Sequence, residues 1–241
     1  MLGTLCTLIT TLTCVSGVTV VTQNPPVLTV RTGETVTMDC NLGTVTDSPS
    51  RWYKQTPGGV PQFVLIYQRS WWSITYGSGF SSPKHTSNYQ NETHYHFIIN
   101  NVEEGDSAVY YCQTWDGITV VFGPGTKLTV TSSSLPPPVL TVFPPSTAEL
   151  QSNKASLVCL AALPSQFKGF ADVTWLGDGC PVSSGISTSP AVQQPDQTFQ
   201  ISSYLSIKPS HWITDRVFTC KVSLGFQTAE KNMTQSDCPI K

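Results

Sequence analysis

Cysteines are the residues of this 241-residue sequence whose type and spacing point most directly to chemistry. Two sets share one order, a cysteine, a tryptophan and a second cysteine: Cys40, Trp52 and Cys112, then Cys159, Trp175 and Cys220. Thiols oxidise to disulfides in a secretory compartment, and the doubling predicts two domains of one construction. No Ser/His/Asp set, carboxylate pair or phosphate-cradling glycine loop stands out, so the sequence predicts cross-linking and recognition rather than catalysis.

The spacing of each set is similar to that of an immunoglobulin β-sandwich. In that fold the two cysteines lie on strands B and F of opposite sheets, and a tryptophan of strand C packs against their bridge. Tyr110, two residues before Cys112, stands where a tyrosine corner belongs. The resemblance implies an all-β fold of two tandem sandwiches, variable-type and then constant-type, with the disulfides Cys40–Cys112 and Cys159–Cys220.

Bulk composition limits the partners that the chain can have. Charged residues make up 12% of the sequence, which is low against the roughly 25% of typical soluble domains. A net charge of −2 gives no reason to expect nucleic acid or an anionic membrane as partner. Beyond the amino-terminal segment, no stretch reaches the about 18 apolar residues of a membrane span.

Composition also predicts how the chain is divided. Residues 1–17 are apolar and Thr-rich and end in small residues, which is typical of a secretory signal peptide and predicts a secreted or extracellular protein. Residues 18–131 form the predicted variable domain. Residues 132–138, rich in Ser and Pro, are an elbow linker. Residues 139–241 form the constant domain with a carboxy-terminal tail.

Strand alternation predicts a covered face on the first domain. Side chains alternate between faces along a strand, so the inward Trp52 and Cys112 fix which neighbours point outward. The outward residues of these strands and of adjacent segments are Tyr53, Gln55, Phe63, Tyr111 and Phe122. Large aromatic side chains on an outer face indicate a surface that a partner covers.

The second domain is predicted to pair through its opposite sheet. Val158 and Leu160 flank the inward Cys159, so this strand is apolar on both faces and should be buried on both. Phe143 and Tyr204 are expected to join the same surface. Two domains with opposite pairing faces imply one long partner or a second copy of the chain.

Several motifs resemble those of an immunoglobulin light chain, over nearly the whole sequence after the signal. They are Trp52-Tyr53-Lys54-Gln55, Leu65-Ile66-Tyr67, Phe122-Gly123-Pro124-Gly125-Thr126 and Phe143-Pro144-Pro145-Ser146. The resemblance implies antigen binding and a heavy-chain partner, with Tyr53, Gln55, Pro61, Tyr111 and Phe122 at the seam of the variable domains. Residues 77–95 depart from the usual pattern, which implies a divergent isotype of the sort found in cold-blooded vertebrates.

By the same resemblance, the antigen loops are residues 41–51, 68–76 and 113–121. The candidate contact residues are Trp71, Trp72, Tyr76, Trp115 and Asp116. Rigid aromatic side chains give a large contact area at low entropy cost. At least one of the two adjacent tryptophans should face solvent, because neighbours on an extended segment point in opposite directions. For Trp115, antigen contact and structural packing remain equally open.

Two cysteines and two asparagines outside the sandwich pattern are candidates for covalent modification. The resemblance implies that Cys238 forms the interchain disulfide to the heavy chain; a free or capped thiol is the alternative. Cys180 is expected in an exposed turn, where it could cap a small thiol, bridge another chain or pair with Cys238. Asn91 and Asn232 begin N-glycosylation triplets, and Asn91 lies away from the predicted pairing faces.

His94 and His96 share one strand face, but without a third ligand nearby a solvated face is the favoured interpretation. No cofactor and no metal are predicted. The alternatives to a light chain are a T-cell-receptor-like chain, which should continue into a membrane segment that the carboxy terminus does not show, and a free-standing secreted protein. A light-chain homodimer is a further possibility that the apolar faces allow.

Overall fold

The computed structural model describes residues 19–132, 135–152 and 154–237. The signal peptide predicted for residues 1–17 and the tail cysteine Cys238 lie outside these residues. Within them the chain forms two β-sandwiches in sequence, so the predicted all-β fold is confirmed. Leu135, which the sequence analysis placed in the linker, packs into the core of the second sandwich.

The first sandwich consists of a four-stranded and a seven-stranded sheet. Its strands are β1 (Thr22–Asn24), β2 (Val27–Arg31), β3 (Val36–Asn41), β4 (Ser50–Gln55), β5 (Gln62–Tyr67), β6 (Thr75–Tyr76), β7 (His85–Tyr89), β8 (His94–Ile99), β9 (Ala108–Trp115), β10 (Val120–Phe122) and β11 (Thr126–Thr131). A 3₁₀ helix covers Glu104–Asp106. The smaller sheet has the order β1-β3-β8-β7; the larger has β2-β11-β9-β4-β5-β6, with β10 paired to β9.

The second sandwich has a five-stranded and a four-stranded sheet. Its elements are β12 (Val139–Phe143), α1 (Thr147–Gln151), β13 (Ala155–Leu163), β14 (Ala171–Gly177), β15 (Cys180–Pro181), β16 (Ile186–Thr188), β17 (Val192–Gln193), β18 (Phe199–Ile207), α2 (Pro209–Ile213), β19 (Phe218–Leu224) and β20 (Gln227–Met233). The sheets have the orders β12-β13-β18-β16, with β17 on β18, and β15-β14-β19-β20. Ser146 caps α1 by accepting the backbone N–H of Glu149, whose carboxylate returns to Ser146.

Each sandwich is built around one disulfide and one buried tryptophan. Cys40 and Cys112 are bonded with their Cα atoms 6.2 Å apart, and Cys159 and Cys220 with theirs 6.4 Å apart. Trp52 is fully buried and stacks on Phe97 at 5.0 Å between ring centroids. The bridges therefore join the two sheets of each domain, and the tryptophans fill the space beside them.

The outward residues of the first domain follow the predicted alternation except at Gln113. Along β3 the side chains are buried and exposed in turn, and Tyr110 donates its hydroxyl to the Asp106 carbonyl at 2.8 Å, which is the tyrosine corner. By the same alternation Gln113, the neighbour of the inward Cys112, should face outward, but it is buried and its amide donates to the Thr114 carbonyl. Within the sheet, Gln113 stands directly opposite Phe122 of β10 and Arg51 of β4.

A charged cluster lies at the end of the first sandwich that is opposite the loops 42–49, 68–74 and 116–119. The carboxylate of Asp106, only 7% exposed as a residue, lies 2.8 Å from the Lys84 ammonium and 3.7 Å from that of Lys54. Lys54 also donates to the Gly105 carbonyl at 2.7 Å. Burial lowers the pKa of Lys54, and the Asp106 carboxylate opposes that shift. One buried carboxylate thus compensates two lysines.

His85 lies beside this cluster inside an aromatic cage. Its ring is T-shaped to Phe80 at 5.0 Å and parallel to Phe97 at 6.3 Å. The residue is 6% exposed, and neither ring nitrogen makes a hydrogen bond of standard geometry. Burial lowers the pKa of His85; the charges of Lys84 and Lys54 act in the same direction, while Asp106 and the Ser81 carbonyl oppose it. The folded domain therefore holds a neutral imidazole.

The first domain is expected to lose stability as the pH falls from about 7 to about 5. The ordinary histidine pKa is 6.5, and the folded value lies below it, so the unfolded chain binds the proton more readily and stability rises with pH across this window. His85→Phe, which keeps an aromatic ring in the cage, should reduce this loss of stability with falling pH. Urea denaturation at each pH measures the free energy of unfolding. His94→Gln on the outer face is the matched control. A His85→Phe variant with the wild-type pH profile would contradict this.

Candidate recognition site

The strand register brings four connections to one end of the first sandwich, here called the loop end. Asn41, the last residue of β3, pairs with His94, the first residue of β8. Ser50 at the start of β4 pairs with Tyr67 at the end of β5. The loops 42–49, 68–74 and 116–119 therefore share this end with the turn 90–93. Three of these connections lie wholly inside predicted loops, and the turn 90–93 was not predicted.

Side-chain contacts tie the first loop, the second loop and the turn 90–93 together. The Arg69 guanidinium of the second loop lies 2.7 Å from the Glu92 carboxylate of the turn and 3.9 Å from the Asp47 carboxylate of the first loop. Gln68 donates to the Asp47 carbonyl at 2.9 Å. These contacts are partly exposed, so each contributes little energy, but together they place three connections in one continuous surface.

The third loop is shorter than the predicted segment 113–121. β9 continues to Trp115 and pairs with β10, so only residues 116–119 form the connection. Asp116 accepts the backbone N–H groups of Ile118 and Thr119 at 2.9 and 2.8 Å. Bonds to the Thr119 and then the Ile118 N–H lower the pKa of Asp116. Its carboxylate thus shapes the turn, and the contact of Asp116 with antigen stays a prediction.

Three of the predicted contact residues lie exposed at the loop end. Trp72 is fully exposed, and Trp71 and Trp115 are about two-fifths to one-half exposed, at 38% and 46%. Both adjacent tryptophans of the second loop are thus accessible. An open cleft of about 420 Å³ lies between the first and third loops and is lined by Trp115, Asp116, Ser48 and several threonines. The lining of this cleft therefore combines an aromatic ring with several hydroxyl groups.

Tyr76, the remaining predicted contact residue, lies elsewhere. It belongs to β6, pairs with Leu65 and packs against the core of the first sandwich. Its hydroxyl donates to the His85 carbonyl at 2.8 Å. The side chain is partly buried and its hydroxyl has a partner within the fold, while contact with antigen stays a prediction. The residue connects β6 to β7 and is structural.

An aromatic surface, here called the first apolar face, lies on the larger sheet of the first domain. It comprises Tyr53, Gln55, Pro61, Phe63, Tyr111 and Phe122. The Tyr53 ring contacts Phe63 and Phe122 at 5.8 and 5.7 Å between centroids. A shallow depression of about 370 Å³ lies here. Phe122 remains 53% exposed, so half of a large aromatic side chain has nothing covering it in the single chain.

The glycines after Phe122 are required by close contacts. Gly125 has φ +91°, a left-handed conformation, and a Cβ there would lie 2.8 Å from the Tyr111 ring. At Gly123, a Cβ would lie 2.4 Å from the Gln23 amide oxygen, which accepts the backbone N–H of Cys112 at 2.9 Å. This packing fixes the path of the chain that presents Phe122 on the first apolar face.

The second domain carries the second apolar face: Phe143, Val158, Leu160 and Tyr204. Phe143, Val158 and Tyr204 stand directly opposite one another across β12, β13 and β18. Phe143 and Tyr204 are about half exposed, at 45% and 47%, while Val158 and Leu160 are half-buried. The sequence predicted this strand buried on both faces; in the single chain the second face is open to solvent.

The candidate modification sites among the described residues are at the surface. Asn91 lies in the turn 90–93, and Asn232 lies on β20, where it accepts the Thr219 hydroxyl at 2.9 Å. Cys180 is an exposed, unbonded thiol in β15 rather than in a turn. Cys238 lies outside the described residues.

His94 and His96 take polar partners rather than a shared ion. His96 contacts Asn88 at 2.7 Å and Asp39 at 3.4 Å, and His94 contacts Asn91 at 3.0 Å. Across residues 19–132, 135–152 and 154–237, no group of three or more His, Cys, Asp or Glu side chains is placed to hold a metal. Nor does any helix in these ranges have the length and apolar character to cross a membrane.

Comparison with known families divides the chain as the two sandwiches do. Residues 23–131 match the immunoglobulin V-set domain, and residues 140–224 match the immunoglobulin C1-set domain. Domains of these sets are typical of immune recognition molecules at the cell surface or outside the cell. The two matches, the two bridges and the tyrosine corner agree. The chain is therefore an immunoglobulin-domain protein, with a V-set domain followed by a C1-set domain.

Proposed function

We propose that this chain is an antibody light chain that pairs with a heavy chain and contributes hypervariable loops to an antigen-binding site. The observation that carries the proposal is the pair of apolar faces on opposite sheets of the two domains. The first lies on the sheet that contains β4 and β9, and the second on the sheet that contains β13 and β18. A two-domain partner with matching faces covers both.

Exposure of the aromatic side chains supports a partner at both faces. Phe122, Phe143 and Tyr204 are each about half exposed in the single chain, and aromatic side chains of this kind are enriched at the centre of protein interfaces. The backbone beneath Phe122 is fixed by Gly123 and Gly125, so the ring is presented without a rearrangement that binding would have to offset.

The loop end supplies the recognition surface. Trp71, Trp72 and Trp115 offer rigid aromatic contact area, and the hydroxyl groups of the cleft offer adaptable hydrogen bonds. The register holds these loops on paired strands, so the scaffold is rigid while the loops carry specificity. Binding is by complementarity of shape and polarity, with no bond made or broken.

The covalent and cellular parts of the proposal come from the sequence. Residues 1–17 would direct the chain to the secretory pathway, where the disulfides form. Cys238 would bond to the heavy chain. The V-set domain would occupy residues 18–131 and the C1-set domain with its tail residues 139–241, joined by the elbow at 132–138.

Phe122→Arg is expected to weaken association with a matched heavy chain by about 2 kcal/mol, or about thirtyfold in Kd. A charge at the centre of the first apolar face would be desolvated without a partner. Light scattering and sedimentation on the reduced complex measure this without help from an interchain bond. Ile213→Arg, at an exposed position of α2, is the matched control.

Wild-type chain that does not associate with any co-expressed heavy chain would contradict the proposal. So would a Phe122→Arg chain that associates as tightly as the control. Sedimentation as a homodimer in preference to the heterodimer would assign the same faces to a second copy of the chain.

A further inference from the structure

We propose that the turn 90–93 is a fourth part of the recognition surface and that it carries an N-linked glycan on Asn91. The loop end then presents carbohydrate beside the first and second loops. The inference rests on the proposed function, because N-linked glycans are added to chains that enter the secretory pathway.

The register fixes where the turn lies. β7 and β8 form a hairpin in which Tyr89 pairs with Tyr95, so residues 90–93 are its tip. The backbone N–H of Leu42 donates to the Thr93 carbonyl at 2.8 Å. Leu42 is the first residue of the first loop, so the turn and this loop start from adjacent points on the scaffold.

Charge contacts extend this connection to the second loop. Glu92, the neighbour of Asn91, lies 2.7 Å from Arg69, and the same guanidinium lies 3.9 Å from Asp47. Any group attached at Asn91 therefore stands within one residue of a contact to the second loop. The sequence indicated only that Asn91 avoids the pairing faces; the structure adds that it lies at the loop end.

The local geometry of Asn91 leaves its amide nitrogen available. Its Oδ1 accepts the backbone N–H groups of Thr93 and His94, each at 3.0 Å, and the Thr93 hydroxyl at 3.1 Å. This is an Asx turn, and the residue is exposed. Among the hydrogen bonds of the described residues, none uses Nδ2, the atom that carries a glycan.

The modification is a glycosyl transfer to this nitrogen. Nδ2 loses one proton and bonds to C1 of the first sugar, while the bond from C1 to the phosphate of a lipid-diphosphate-linked oligosaccharide breaks. The lipid diphosphate leaves with the electron pair, and no oxidant or reductant takes part. The Asn91-Glu92-Thr93 triplet supplies the required hydroxyl residue at its third position.

The test uses the full chain expressed in eukaryotic secretory cells, with its own amino terminus. Peptide mapping with and without glycosidase treatment reads the modification of Asn91. Thr93→Val should abolish the glycan while keeping the backbone N–H, and Thr93→Ser should retain it. Asn232→Gln is the control for the second triplet and should leave the glycan on Asn91 unchanged.

Hydroxyl-radical footprinting tests whether the glycan on Asn91 lies at the recognition surface. Trp71 and Trp72 should oxidise more slowly in the glycosylated chain than in Thr93→Val, because the glycan shields the second loop. Phe226, at the β19–β20 turn of the other domain, should oxidise equally in both.

A secreted chain with unmodified Asn91 would overturn this inference and leave the proposed function standing. A chain that never enters the secretory pathway would overturn both. A glycan on Asn91 whose loss leaves oxidation of Trp71 and Trp72 unchanged would overturn its placement in the recognition surface.

Discussion

Removing the first disulfide with the double substitution Cys40→Ala and Cys112→Ala is expected to lower the free energy of unfolding of the V-set domain by about 4 kcal/mol. The bridge spans a sequence separation of 72 residues, and the unfolded chain gains the conformational freedom that this loop closure removes. Such a loss is a large part of the stability of one domain. We expect most of the variant to be retained in the cell rather than secreted.

Hydrogen exchange resolved by peptide measures this effect domain by domain. Exchange in β3, β8 and β9 should accelerate toward the rate of the unfolded chain, while exchange in β13 and β19 should change little. Cys180→Ser, at an exposed thiol outside both bridges, is the matched control and should alter stability by less than about 0.5 kcal/mol. A double variant whose β3 and β9 stay protected would contradict the structural role given to this bridge.

Asp106→Asn is expected to destabilise the V-set domain by about 3 kcal/mol. Asparagine keeps the size of the side chain and an oxygen that can accept the Glu103 N–H, a bond of 2.8 Å in the wild type. It removes the charge that compensates both lysines, which leaves Lys54 with the Gly105 carbonyl and Lys84 with the exposed Glu103 carboxylate at 3.8 Å. The loss of stability in Asp106→Asn therefore reports the missing charge rather than a change in side-chain shape.

Urea denaturation of Asp106→Asn beside Asp39→Asn separates this buried role from a surface one. Asp39 lies 3.4 Å from His96 but is about half exposed, so its loss should amount to less than about 1 kcal/mol. A double-mutant cycle with Lys84→Met should give a coupling energy above about 0.5 kcal/mol. Equal effects at Asp106 and Asp39 would contradict the account of the cluster.

What the sequence predicts well is what local alternation and covalent chemistry determine. The bridges and the buried tryptophans follow from the resemblance in cysteine and tryptophan spacing. The outward Tyr53 and Tyr111 then follow from these anchors and a period of two residues. Burial within the larger sheet is less predictable, since Gln113 departs from the alternation of β9 and is buried. The period of two residues predicts the face to which a side chain points, but it does not predict whether neighbouring elements bury that side chain.

The partners of side chains at the loop end could not be predicted from the sequence. Tyr76 and Asp116 have side-chain types suited to binding, yet one bonds to the His85 carbonyl and the other to backbone N–H groups of its own turn. Conversely, the turn at Glu92 contacts Arg69, which is 23 positions earlier in the sequence. Such contacts depend on the register of distant strands. The charge of Glu92 within the glycosylation triplet was the only local signal.

His85 makes the stability of the first domain depend on pH, a property that the sequence of residues 77–95 does not reveal. The sequence of residues 77–95 differs from the usual pattern without showing which residue enters the core. The structure places the imidazole between Phe80 and Phe97. Burial of a titratable ring is a matter of tertiary packing, so the expected pH dependence follows only from the fold.

The most direct test of the light-chain account is a non-reducing gel of chain secreted from cells that also express a matched heavy chain. We expect a covalent heterodimer that disappears with Cys238→Ser and persists with Cys180→Ser. A chain that is secreted alone, or a heterodimer band that survives Cys238→Ser, would contradict it.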